Sequence, residues 1–301
     1  MNAVGSDTLF DADFLRRLES LSLLARTLRR GAQRAERRSV QRGASVEFAE
    51  YRPFVAGDDY KYIDWNAFAR WRQLVLKLFV EEEDLHVHLL LDGSASMTWG
   101  TPRKFDYARQ VVAGIAYLGL ANLDRVSLTL LGSPAGAEML PATRGRHRFL
   151  HVLRWLGSRE VQSGPRPLED SVRGWTATRP RRGLVIWVGD FWGTDAEDAF
   201  RALDRLRYGR HDVALIQVRD PGEAEAGTPG EFELEDVESG TVRRVVISPQ
   251  MARAYRERFD QYQDSLQAAT RRHQMPMLAV DTRLDVGDLL QRALLTGGFV
   301  R

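Results

Sequence analysis

Apolar and polar positions alternate with two different periods along the chain, and the change of period marks its elements. Between residues 73 and 83, QLVLKLFVEEE sets Leu74, Leu76 and Leu78 against Val75, Lys77 and Phe79, the period of two expected of a strand. From residue 86 onward, short apolar runs trade places with amphipathic stretches. HVHLLLDG, VSLTLLGS, GLVIWVGDF, HDVALIQVRD and PMLAVDT read as buried strands. KFDYARQVVAGIAYLGLANL, RHRFLHVLRWLGS, PLEDSVRGW, AEDAFRALDRLRYG, PQMARAYRERFDQYQDSLQAATRRH and VGDLLQRALL carry helical spacing. Strands separated by helices predict a doubly wound, mainly parallel sheet covered on both faces, an α/β fold. FELEDVESGTVRRVVIS breaks the alternation with a hairpin insertion near 231–247, turning at Ser239-Gly240.

The N-terminal quarter follows other rules. Phe14, Leu15, Leu18, Leu21, Leu23 and Leu24 fall near helical spacing, Asp13 is placed to cap the helix, and Gly31 interrupts or ends it. The stretch from Ser39 to Trp65 is rich in aromatic and turn residues without a sustained period, and is too apolar for a linker. The expected organisation is therefore a helical and irregular extension over 1–80, packing on a main domain over 81–301.

With 301 residues, 44% of them hydrophobic, the chain can bury a sizeable core. The absence of cysteine excludes disulfides, thiolate zinc sites and a cysteine nucleophile. No apolar run approaches the roughly 20 residues of a bilayer span, and the first residues lack the basic and apolar regions of a signal peptide. The expectation is a cytoplasmic protein. Net charge is only +2, but nine arginines between residues 14 and 42 face Glu19 and Glu36 alone, and EEED at 81–84 and the stretch from Glu223 to Glu238 are acidic.

Candidate chemistry begins where LLLDGSAS leaves its strand. Ligands of open parallel sheets gather beyond the carboxyl ends of strands, at the point where strand order reverses. Asp92 falls at such an end, and an extended loop would turn the Ser94 and Ser96 hydroxyls to its side. Asp190, closing GLVIWVGD, occupies an equivalent position. Two aspartates and two hydroxyls suit a hard cation, Mg2+ or Mn2+, which takes oxygen ligands and keeps some water. The competing reading is plain turn chemistry, with Asp92 and the serines bonding nearby amides.

DGSAS together with Asp190 resembles the metal-ion-dependent adhesion site of von Willebrand factor A domains. More specifically, EFAEYRPFVAGDDYKYIDWNAFAR followed by LVLKLFVEEEDLHVHLLLDGSASM is similar to the domain-of-unknown-function 58 (DUF58) family, and the GEFELEDVESG hairpin extends the similarity over nearly the whole chain. The resemblance implies a von Willebrand factor A-like fold and places Asp92, Ser94, Ser96 and Asp190 as metal-facing residues. It also implies a non-enzymatic adaptor that works with a MoxR-type AAA+ ATPase in assembling or remodelling protein complexes. The family pattern expects a threonine where this chain has SGPRPLED. Arg166 or a neighbour stands there, able to repel a cation or to replace one as the positive charge between the aspartates, and Ser163 could substitute as ligand.

The block before the domain carries Asp58, Asp59, Asp64 and Trp65. Its acids either cap turns or form an interaction surface, with Arg52 and Arg70 as salt-bridge partners. A divalent-metal hydrolase using Asp92, Asp190 and Asp58 or Asp59 is the enzymatic alternative, although no phosphate loop or nucleophile elbow is present. The arginine segment offers nucleic-acid binding as a third reading. His86 and His88 share a strand face without a third zinc ligand, and His147 and His151 lack the glutamate of a zinc-protease motif.

Overall fold

The computed structural model describes residues 9–21, 47–80, 85–132, 138–161, 168–191, 196–225, 230–235 and 241–295. The chain forms two compact units, one from residues 26–84 and one from 1–25 with 85–301.

In the smaller unit, β1 (Glu47–Pro53) pairs antiparallel with β2 (Val75–Val80), with a bulge between Phe48 and Glu50. A 3-10 turn (Tyr60–Tyr62) and a short helix join them. Ile63, Ala67, Val75 and Leu76 are its buried apolar residues among those described.

The larger unit holds a six-stranded sheet in the order β10-β7-β6-β3-β4-β5. Its strands are β3 (His86–Asp92), β4 (Arg125–Leu131), β5 (Glu138–Thr143), β6 (Leu184–Gly189), β7 (Asp212–Arg219) and β10 (Met277–Asp281). All neighbours are parallel except β5, which runs antiparallel along β4 at one edge. The α/β fold expected from the alternation of periods is the one observed. In chain order the described helices are α1 (residues 12–21), α2 (Trp65–Trp71), α3 (Lys104–Ala121), α4 (Phe149–Gly157), α5 (Leu168–Ala177), α6 (Ala196–Tyr208), α7 (Pro249–Arg272) and α8 (Val286–Leu295). β8 (Gly230–Glu235) and β9 (Val242–Ile247) pair antiparallel in the expected insertion. Its turn at Ser239-Gly240 lies outside the described residues.

The central strands are apolar on both sides because both faces are covered. Leu89 and Leu91 of β3 join Phe14 and Leu18 of α1, Phe105 and Val112 of α3, Val152 of α4 and Leu290 of α8 in one core layer. Leu90 points the other way, with Trp187 of β6, Trp175 of α5, Leu203 of α6 and Leu266 of α7. α1 thus packs with the larger unit. Gly114 of α3 gives it room: a Cβ there would stand 2.3 Å from Leu290 and 3.3 Å from Leu18.

This order fixes where a site can form. From β3 the chain proceeds to β4 and β5 on one side, then crosses back to lay β6 on the other side of β3. The β3/β6 boundary is therefore the switch point, where crossovers depart in opposite directions and leave a crevice beyond the carboxyl ends.

Candidate functional site

Asp92 ends β3 and Asp190 directly follows β6, side by side at the switch point. Leu91 pairs with Val188, which sets Asp92 level with Gly189. Both aspartates are buried, 1% and 3% exposed. Gly189 permits the arrangement, since a Cβ on it would lie 2.7 Å from the Asp92 Cβ and 2.8 Å from its Oδ2. Gly93 is needed likewise, its missing Cβ leaving space for Leu130 and the Leu131 carbonyl at 2.8 and 2.9 Å.

The loop after β3 bends into a 3-10 turn over Ala95–Thr98, anchored by the buried side chains of Ala95 and Met97. Ser94 donates its amide to Asp92 Oδ1 at 2.9 Å, and the Ser94 and Ser96 hydroxyls meet at 3.0 Å. Asp92 Oδ2 is buried and accepts no hydrogen bond. Burial, and then the charge of Asp190, push the Asp92 carboxyl up to about 7, against the pull of the Ser94 amide and hydroxyl and of Lys104. A buried carboxylate oxygen left without a donor is costly, and a cation at that oxygen removes the cost. Turn chemistry therefore accounts for Oδ1 and leaves Oδ2 unexplained.

A cation of the chain's own lies nearby. Lys104, the first residue of α3, is completely buried and places Nζ 2.7 Å from Asp190 Oδ2 and against Glu223 Oε1. Burial works to lower its pKa, but Asp190 and Glu223 outweigh that and raise it, so the ammonium persists. Glu223 is held in a 3-10 turn (Pro221–Ala224) by a capping box with Asp220, whose amide donates to Glu223 Oε2 at 3.0 Å. Tyr255 of α7 donates its hydroxyl to the Glu223 carbonyl at 2.8 Å, and Gln217 donates to the Asp190 carbonyl at 3.2 Å. Gly100, with φ at +95°, leans on Asp220: a Cβ would stand 2.7 Å from its Oδ2.

The donor set fits a hard cation on its Asp92 side. Asp92 Oδ2, Ser94 Oγ and Ser96 Oγ would hold it, and Asp190 is engaged by Lys104. Among the described residues no three His, Asp or Glu side chains gather as metal ligands, so a cation here relies on the hydroxyls. Ser163 and Arg166 lie outside the described residues. A positive charge beside Asp190, one of the roles weighed for Arg166, is present on Lys104.

The acids of the smaller unit are engaged in holding its loops. Asp58 pairs with Arg52 at 2.6 Å and accepts the Val55 amide at 3.0 Å, while Asp59 accepts the Lys61 amide at 3.0 Å. Asp64 caps α2 through the Asn66 and Ala67 amides at 2.9 and 3.2 Å, and receives the Tyr51 hydroxyl at 2.7 Å and Lys77 at 3.0 Å. These donors, Tyr51 foremost, hold its carboxyl down at about 2. Trp65 is 61% exposed, and Tyr60, Tyr62 and Trp71 are also exposed.

The histidine pairs are not ligand sets. His88 Nε2 faces the Arg181 carbonyl and Nδ1 faces the Ser127 hydroxyl, both at 2.8 Å, which occupies the ring on both sides. His147 and His151 are exposed on separate elements. In the basic segment, residues 22–46 lie outside the described region, and Arg16 and Arg17 are paired with Asp13 and Asp285.

A family model described as "Protein of unknown function DUF58" matches residues 50–273. The chain belongs to the DUF58 family. An uncharacterized relative from Mycobacterium tuberculosis, Rv1480, is 29% identical over 236 residues, covering 77% of this DUF58 chain and 73% of its own. Among solved structures, the conserved hypothetical protein BatB from Bacteroides thetaiotaomicron matches 71% of the chain and 98% of its own, with 17% identity and a TM-score of 0.41. The manganese-loaded Plasmodium vivax TRAP protein matches 45% of the chain and 57% of its own, with 20% identity and a TM-score of 0.35.

Proposed function

We propose that this DUF58 protein is a non-enzymatic docking adaptor. Its switch-point site carries Mg2+ or Mn2+ on Asp92, Ser94 and Ser96 and offers the open coordination positions to a carboxylate of a partner protein. The reading rests on the buried, undonated Oδ2 of Asp92 and on the two hydroxyls of the following loop, which meet at 3.0 Å. Such an oxygen set supplies charge without filling an octahedral shell, so water or a partner's acid must complete it. Ser163 and Arg166, which the family resemblance sets at the position of the missing threonine, are assigned to modulating the site. The family resemblance makes a MoxR-type AAA+ ATPase in the cytoplasm the partner class, and the exposed aromatics around Trp65 a second contact surface.

The engagement of Asp58, Asp59 and Asp64 in capping their own loops argues against a hydrolytic role for that block. The docking reading is tested by calorimetric titration with Mg2+ and by capture of the MoxR-type ATPase from the same organism. Wild type binds the ion and captures the ATPase, and Asp92→Ala or a chelator abolishes both. Capture indifferent to chelator and to Asp92→Ala contradicts metal-mediated docking.

A further inference from the structure

Lys104 stands where local energetics oppose it. It opens α3, whose N-terminus has no side-chain cap and follows Arg103, and the positive end of a helix disfavours a cation. It is also fully buried, where an ammonium persists only if carboxylates hold it. Its position is therefore set by Asp190 and Glu223. Asp190 is the second carboxylate of the switch point, and the Oδ2 that faces the lysine at 2.7 Å cannot serve a metal at full strength while it serves the ammonium.

We propose that Lys104 is the affinity-setting residue of the switch-point site: its ammonium holds Asp190 and confines a divalent cation to Asp92, Ser94 and Ser96. This rests on the reading that the site takes a cation. The capping box of Asp220 and the Tyr255 hydroxyl fix Glu223, and Glu223 in turn fixes the lysine, so an arriving ion does not draw the ammonium aside. The tethered charge repels the ion as well as occupying its ligand. Free protein then binds the cation weakly, and a partner carboxylate adds the negative charge that Asp190 withholds.

The test is calorimetric titration of the full chain with Mn2+, comparing wild type, Lys104→Met and the double variant Lys104→Gln/Glu223→Gln. The double variant leaves one fewer unpaired buried carboxylate and answers the question if Lys104→Met fails to fold. Removing a unit charge a few ångströms from a divalent ion is expected to tighten Mn2+ binding by Lys104→Met at least about tenfold. In the double variant the lost ammonium and the lost carboxylate offset each other, so its smaller gain comes from the freed Asp190 oxygen alone. Mn2+ should correspondingly raise the melting temperature of the variants more than that of wild type. Adding Asp92→Ala to either variant should erase the gain.

Unchanged or weaker affinity in the folded variants, with binding by wild type intact, overturns the role of Lys104 and leaves the cation reading standing. A gain that survives Asp92→Ala places the new binding elsewhere and overturns it too. Absence of Mn2+ binding in wild type and every variant overturns both.

Discussion

At the scale of single residues, the site depends on what Gly189 lacks. Alanine there would drive a methyl into the Asp92 carboxylate. Gly189→Ala is expected to cost about 1–3 kcal/mol, as overpacking of a filled interior does, and to abolish Mn2+ binding. Thermal melts and calorimetry of the variant check both effects. That Asp92 and Asp190 share a rim was legible from strand-end position, because a parallel sheet delivers its carboxyl ends to one side. Ser94 and Ser96 were expected on an extended loop, and Ser96 lies in a 3-10 turn instead. Lys104 was not legible, because KFDYARQ reads as the polar start of an amphipathic helix. The signal was present in another form: two basic residues, Arg103 and Lys104, at a helix N-terminus, where the dipole disfavours them. Arg103 answers it locally by pairing with Asp106 at 2.8 Å, whereas Lys104 answers it across the fold. Glu223 was hidden in an acidic stretch read only for its bulk charge.

At the scale of elements, β3 carries a second buried polar feature at its opposite end. The Arg181 carbonyl can only accept, so His88 donates from Nε2 and accepts the Ser127 hydroxyl at Nδ1, as a neutral ring. Burial lowers the pKa of His88, with His211 and His86 adding to the effect. Burial lowers that of His211 as well, with Arg182 contributing. The unfolded chain protonates these rings first as pH falls below about 6.5, so stability is full above that value and declines through the depressed folded pKa values. Each ring contributes at most about 1.4 kcal/mol per pH unit. Melting temperatures between pH 7.5 and 5 should fall, and His88→Gln should flatten the fall; an equal slope in the variant would refute the assignment. Two strands escaped the sequence pattern. β5 is an edge strand interrupted by Pro141, and its register along β4 shifts between Val126 and Leu128, which breaks the period of two. β1 is bulged between Phe48 and Glu50 and is completed only by pairing with β2, a partner more than 20 residues away in sequence.

At the scale of the whole molecule, the chain divides into two units with different means of cohesion. The larger has two apolar layers on one sheet, and the smaller, among the described residues, has few buried apolar ones and leans on Asp64, which ties Tyr51, Lys77 and the start of α2 together. Asp64→Ala is expected to remove hydrogen-exchange protection over 47–80 while strands β3 and β6 keep theirs, and to leave cation affinity at Asp92 unchanged. Exchange followed by mass spectrometry measures the first and titration the second. Among the described residues no helix is long and apolar enough to cross a membrane. The alternation of strands and helices made the larger unit readable because each of its central strands is buried on both faces. In the smaller unit only β2 was legible from its period of two; the stretch before it was opaque because its described capping and aromatic contacts have no period. The central claim is that the β3/β6 crevice is a cation site, and an anomalous difference map from Mn2+-soaked crystals tests it most directly. The expected peak lies roughly 2 Å from Asp92 Oδ2 and the Ser94 and Ser96 hydroxyls, with Lys104 still on Asp190; a map at full soak with no peak there contradicts it.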